Sequence, residues 1–584
     1  MTRQADDRVW PVVTICCVLA AVLVFAILAS ALAGLLGRGA PIWIGPPAAS
    51  TLLARLLSHL SAPALAWPAA DRRGLPGADE LHAVLLMSLI TVAAAVVAAW
   101  LLVRRLRDAT PRKRAAKWAT RSDLAELRVR RPERGRITLG RHRRALIAAE
   151  ERASVMVVGP TQSGKTTGLV VPAMSEWDGP VLSTSIKTDV LHQTLALRSD
   201  LGDARVFDPT QATSLGHAVW SPLSASTTWT GARRTAAALL GVGEHSTARS
   251  ADDAFWRPAG ARYLAALLFA ATKTADLTMA DVLHWIATSD FDEATTLLDA
   301  STLSGTAPAT DSIQSVKGAD HRFASSLLQT IATALDPWQE PQVAGATMGE
   351  SRISADWLLS GANTLYVVAP ANEQRRLSGL YAALVSHIIA GAYERSAKTG
   401  RPIDPALLLA LDEVCNIAPL PNLDEIASTG PGQGVHLLCV LQNISQGYDR
   451  WGRDRAETII ANHRARLFCS GIGDRATLDY LRGMLGEEEI ARISTQQRSI
   501  GTPGSKTRST EHRPLATPHR VRQADRSSSL LVYGRLAPAW ITLRARHHAT
   551  DRHASPSRPG LELHSERSRR RMTSQPDATK EQSP

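Results

Sequence analysis

The chain has 584 residues, enough for roughly three or four domains with sizeable cores, which excludes a lone binding module, a small adaptor or a peptide hormone. Hydrophobic residues make up 45% and charged residues 21%, the balance of a globular protein rather than of a disordered chain or a polytopic transporter. The formal charge of +12 suggests a partner bearing phosphate groups, and five cysteines without a CxxC pair exclude a disulfide-stapled secreted fold.

In chain order, residues 1–11 lead into 25 uncharged positions at 12–36, and a second uncharged run of 21 occupies 83–103. At 1.5 Å rise per residue each run crosses a hydrocarbon core of about 30 Å, so two transmembrane helices are predicted. Ala31-Leu32-Ala33 looks like a signal-peptide cleavage site, but the apolar stretch before it is longer than such a peptide uses. Residues 38–80 become a short extracytoplasmic loop rich in Pro, Ala and Trp. Arg104, Arg105, Arg107, Arg112, Lys113, Arg114 and Lys117 then place residues 1–11 and the bulk of the chain on the cytoplasmic side. Residues 104–152, with 17 basic and 6 acidic side chains, read as a basic juxtamembrane linker able to meet anionic lipid.

A first part of a nucleotide-binding domain is predicted over 153–223. Ser154–Val158 is a buried strand that runs into Gly159-Pro160-Thr161-Gln162-Ser163-Gly164-Lys165-Thr166, followed by a helix opening at Thr167. This is the GxxxxGK[ST] pattern in its strand-loop-helix setting. Backbone amides there converge on phosphate, Lys165 reaches the β- and γ-phosphates, and the Thr166 hydroxyl ligates Mg²⁺. The second part, over 346–543, supplies an apolar run from Ala406 to Leu411 ending in Asp412 and Glu413. Asp412 suits the metal, and Glu413 suits polarisation of an attacking water. Val435–Leu441 is a further buried strand, whose terminal Gln442 is placed to sense the γ-phosphate.

Short apolar runs at 181–185, 205–208, 364–368 and 466–470 suit a mainly parallel sheet with helices on both faces. Between them, over 224–345, the pattern changes to Ala/Leu-rich helical periodicity, which predicts an all-α insertion domain with Phe255, Trp256, Tyr263, Trp285 and Trp338 as packing aromatics. The last segment, 544–584, has the composition of a disordered basic tail.

With these residues in place the chain resembles the type IV coupling proteins, the TraG/TraD-like family of conjugation and type IV secretion systems, over nearly its full length. The most specific stretch is Leu411-Asp-Glu-Val-Cys-Asn-Ile-Ala-Pro-Leu-Pro-Asn-Leu-Asp-Glu425. Val440–Gln446, Glu457–Asn462, Phe255-Trp256 and Trp338 extend the match. The resemblance implies a RecA-like P-loop ATPase in the bacterial cell membrane, using ATP and Mg²⁺. It further implies a homo-hexamer that brings a DNA–relaxase complex, or protein substrates, to a type IV secretion channel. An FtsK-like double-stranded DNA translocase and a non-hydrolysing cargo receptor are the alternatives. Two departures stand out. Ser185-Ile-Lys187-Thr-Asp189 replaces the family's Asp-Pro-Lys-Gly-Glu, leaving Lys187 as a candidate nucleotide contact. Gly430-Pro-Gly-Gln433 stands where the family places an arginine that reaches a neighbour's site, so Arg464 and Arg466 are the candidate substitutes.

Overall fold

The computed structural model describes residues 3–109, 116–242, 251–495 and 506–544. The chain divides into two compact units, Met1–Arg114 and Ala115–Pro584. The tail expected at 544–584 lies, beyond its first residue, outside the described residues.

In the first unit, helices Arg3–Arg38 and Ala78–Ala109 contain stretches, Leu19–Arg38 and Ala78–Leu101, that are long and apolar enough to cross a membrane. Leu35, Leu36, Leu86, Leu89, Ile90 and Val97 on them are exposed, a surface suited to hydrocarbon rather than water. The segment between them is more than a loop. Pro46–Ser58 is a helix, and Leu52, Leu56, Trp67 and Leu81 close a small core against the long helices. Trp67 Nε1 donates to Ser30 Oγ at 3.0 Å, satisfying both groups inside that core.

The second unit is built on strands β1 (Arg128–Val129), β2 (Thr138–His142), β3 (Ala145–Ala148), β4 (Val155–Val158), β5 (Val181–Ser185), β6 (Ala204–Phe207) and β7 (Thr364–Val368). They are followed by β8 (Leu407–Leu411), β9 (Val435–Leu441), β10 (Ala465–Cys469), β11 (Glu487–Thr495), β12 (Lys506–Pro514), β13 (Ser528–Tyr533) and β14 (Ala539–Thr542). Twelve of them form one sheet in the order β1-β3-β2-β14-β13-β10-β4-β9-β8-β5-β7-β6, while β11 and β12 pair as a separate hairpin. From β10 to β6 every pairing is parallel; from β1 to β10 every pairing is antiparallel. The parallel block explains the sequence of its strands. β4, β5, β7, β8 and β9 are buried at every position, as strands covered by helices on both faces must be.

The antiparallel end corrects one expectation. Residues 128–148, read as part of a basic linker, form β1, β2 and β3 and lie in the sheet. Leu139, Leu146 and Ile147 in these strands are buried, while Arg128, Arg143 and Arg144 at or beside their ends are exposed, so the charge masked short buried strands.

Between β6 and β7 the described residues form helices, including Trp229–Leu239, Ala251–Ala271, Met279–Thr288, Asp292–Asp299, Thr306–Lys317 and His321–Leu335. This helical stretch shares one continuous core with a face of the sheet, joining Leu267, Phe269 and Ile331 to Leu182, Phe207 and Leu365. Tyr263, Trp285 and Trp338 are buried, as predicted. Phe255 is 56% exposed and contacts Trp256 and Phe323 at ring-centroid distances of 5.1 and 6.3 Å, so it belongs to a surface aromatic cluster and not to the core.

Candidate nucleotide-binding site

The register of the parallel block decides which side chains meet. Val158 at the end of β4 pairs with Leu441, and Leu411 at the end of β8 pairs with Cys439, so β9 separates the two strands while both finish at the same edge of the sheet. The loop after β4 and the acids after β8 therefore emerge side by side, at the carboxyl ends where open parallel sheets bind ligands.

The loop's shape comes from its small residues. Gln162 and Gly164 have φ of +63° and +83°, left-handed values that turn the chain back on itself. A Cβ on Gly159 would lie 2.6 Å from Cys469 Cβ and 2.8 Å from Ser163 Oγ, so only glycine fits beneath the loop. Gly159 N donates to Leu441 O at 3.1 Å, tying the loop to β9. A wide helical turn then begins at Thr166 and passes into Val171–Glu176. Lys165 is buried, and its Nζ donates to Pro160 O at 3.1 Å, holding the ammonium inside the loop.

Across from it, Thr166 Oγ1 donates to Asp412 Oδ2 at 3.0 Å. Asp412 is anchored through its backbone: its N donates to Thr184 O at 3.3 Å, and Thr184 Oγ1 donates to its carbonyl at 3.1 Å. Its Oδ1 is buried with no hydrogen-bond partner. Burial raises the Asp412 pKa above the usual carboxylate value, against the downward pull of Lys165 and the Thr166 hydrogen bond. A divalent cation would supply what that oxygen lacks. The hydroxyl and carboxylate together form a hard oxygen pair of the kind Mg²⁺ takes beside a phosphate.

Glu413 has φ of +52°, a left-handed conformation uncommon for this residue type, which turns its side chain away from that of Asp412. Gln442 Nε2 donates to Glu413 Oε1 at 2.9 Å and Asn416 Nδ2 to Oε2 at 3.2 Å. Gln446 Nε2 donates to Gln442 Oε1 at 3.3 Å, extending the network. The geometry thus unites Lys165, Thr166, Asp412, Glu413 and Gln442. Asn416, Gln446 and Thr184 were missed as participants, although the first two lie within the stretches that carry the resemblance.

Among the described residues the other candidates make no hydrogen bond or ion pair with this group. Lys187 is exposed in the turn after β5, its carbonyl accepting from Ser185 Oγ at 2.7 Å. Arg464 and Arg466 lie at the amino end of β10, whereas the phosphate loop follows the carboxyl end of its neighbour β4. Arg464 pairs with Glu150 at 2.8 Å, and Arg466 Nη1 donates to Tyr480 Oη at 3.4 Å.

The family model described as type IV secretory system conjugative DNA transfer matches residues 113–553. Conjugal transfer protein TraG from Escherichia coli is 24% identical over 391 residues, 62% of this chain and 60% of that protein. Protein VirD4 from Rhizobium rhizogenes is 24% identical over 425 residues, 69% of this chain and 59% of that protein. The match thus spans about 60% of the length of these curated relatives. The coupling protein TrwB in complex with ADP and Mg²⁺ shares the fold at a TM-score of 0.53 and 16% identity, over 74% of this chain and 94% of that one. With the family model matched over most of its length, the chain belongs to the type IV secretory system conjugative DNA transfer family.

Proposed function

We propose that the chain is a membrane-anchored ATPase that recruits DNA with its relaxase, or protein substrates, to a type IV secretion channel and drives their transfer. The observation that carries the nucleotide reading is the contact between Thr166 Oγ1 and Asp412 Oδ2 beside the unpartnered Oδ1. The segment Gly159–Thr167 would wrap the phosphates, with Lys165 countering their charge and Lys187 a further contact. Thr166 and Asp412 would hold Mg²⁺, which when bound neutralises charge on the transferred phosphoryl group. Glu413, held by Asn416 and Gln442, would accept a proton from the attacking water, and Gln442 would report the state of the γ-phosphate. The alternative as a non-hydrolysing receptor loses ground to this carboxylate, positioned by two amides at the site.

A homo-hexamer is proposed from the family, with Arg464 or Arg466 reaching the neighbour's nucleotide. Arg464, 56% exposed, is the freer of the two. Full ATPase rate in Arg464→Ala, Arg466→Ala would exclude both. The two long apolar helices support a multi-pass anchor with the second unit in the cytoplasm and basic residues near lipid. Crosslinking in cells during transfer tests the cargo: DNA recovered with the parent chain but not with Lys165→Ala supports conjugative transfer, and recovery of protein alone supports effector export.

A further inference from the structure

A cavity of about 550 Å³ opens at the amino ends of β4, β8 and β9, the end of the sheet away from the phosphate loop. Arg152 reaches it from the chain entering β4, and Arg395 and Arg401 from the end of helix Ser378–Thr399 and the turn beyond it. Arg134 also lines it but is engaged, bridging Asp178 at 3.0 Å and Asp404 at 2.7 Å. Among the described residues Arg152, Arg395 and Arg401 have no ion pair, and the carboxylate left facing them is Glu151. Like charges gathered in one concavity repel, and a bound anion relieves that repulsion.

The floor adds a second observation. His436, at the start of β9, is 3% exposed and lines the cavity, yet its ring makes no hydrogen bond among the described residues. It is held by a tilted contact with Trp177, centroids 5.2 Å apart, and Trp177 is fixed in turn by donation from Nε1 to Ala406 O at 2.8 Å. Burial and the nearby Arg152 push the His436 pKa down to about 4, so the imidazole is neutral and offers one donor and one acceptor. A buried polar ring without a partner, beneath three unpaired guanidiniums, calls for a ligand that is both anionic and hydrogen-bonding.

We propose that this cavity is a second binding site, separate from the phosphate loop, for a nucleoside phosphate, whether a free nucleotide or one unit of a single-stranded nucleic acid. Guanidinium forks match phosphate oxygens, the neutral imidazole matches a ribose hydroxyl or base edge, and the volume lies in the range of small-ligand sites.

The test uses the full chain carrying Lys165→Ala, which disables the phosphate loop, and measures anisotropy of two probes: a fluorescent adenine nucleotide and a fluorescein-labelled oligo-dT strand. Adding Arg395→Gln and Arg401→Gln is expected to weaken at least one probe about tenfold or more. Arg121→Gln with Arg535→Gln, which removes the same charge elsewhere on the surface, should leave binding within about twofold. Loss confined to the mononucleotide assigns the site to free nucleotide; loss that includes the strand assigns it to nucleic acid. Absence of saturable binding of either probe to the Lys165→Ala chain, or equal weakening by the two pairs of substitutions, overturns the proposal.

Discussion

For Asp412 the proposed function sets two requirements: its carboxylate must be buried enough to exclude water from a reacting phosphate, yet remain available to a cation. The fold answers by tying its backbone to Thr184 and leaving one oxygen without a protein partner. Arg198 shows the opposite solution. It is fully buried without a carboxylate, and its guanidinium donates to Thr364 Oγ1 and to the carbonyls of Gly179 and Ala362 at 2.8, 2.7 and 2.9 Å. Burial lowers its pKa to about 10, still well above neutrality, so it stays charged while stitching the loop before β5 to the start of β7. Arg198→Met is expected to lower unfolding stability by about 3 kcal/mol or more in a denaturant melt, because several buried acceptors lose their donor at once. A change below about 1 kcal/mol would show that water replaces it. Lys165, Thr166, Asp412, Glu413 and Gln442 were legible as candidates because each follows the end of an apolar strand. The linkage of Glu413 to Asn416 and Gln442 was not, since it depends on a left-handed backbone at Glu413.

Among the elements, β9 carries the geometry of the proposed site, since it spaces β4 from β8 so that Thr166 and Asp412 meet at hydrogen-bonding distance. On the far side of β4, β10 begins just after His463, which is fully buried; its Nδ1 donates to Ile459 O at 2.7 Å and Nε2 has no partner. Burial drives its pKa down to about 4 from an ordinary 6.5. The folded chain therefore keeps this ring neutral, while the unfolded chain takes up a proton below pH 6.5. Stability from this group is complete above that pH and is lost as pH falls toward 4, by about 3 kcal/mol at most. Thermal melts across that window should fall less steeply for His463→Leu than for the parent, and equal slopes would contradict the assignment. The central strands could be read directly as continuous apolar runs bounded by turns. β1–β3 and β11–β12 could not, because charged residues interrupt the hydrophobic period and only pairing with distant segments reveals them.

At the scale of the whole molecule, the net charge of +12 divides unevenly. The 17 basic residues of 104–152 begin in the last turns of the second long helix and continue into strands β1–β3 at one end of the sheet. Membership of the conjugative DNA transfer family, two apolar helices and a phosphate loop in contact with Asp412 together support the proposal of an engine anchored at a membrane. The central claim is that this engine hydrolyses ATP. It is tested most directly by phosphate release from the purified full chain with and without single-stranded DNA, beside Lys165→Ala and Glu413→Gln. The account predicts Mg²⁺-dependent hydrolysis raised by DNA, a loss of roughly a hundredfold or more in both variants, and retained ATP binding in Glu413→Gln. Hydrolysis at the parental rate in both variants, or none in the parent, would contradict it.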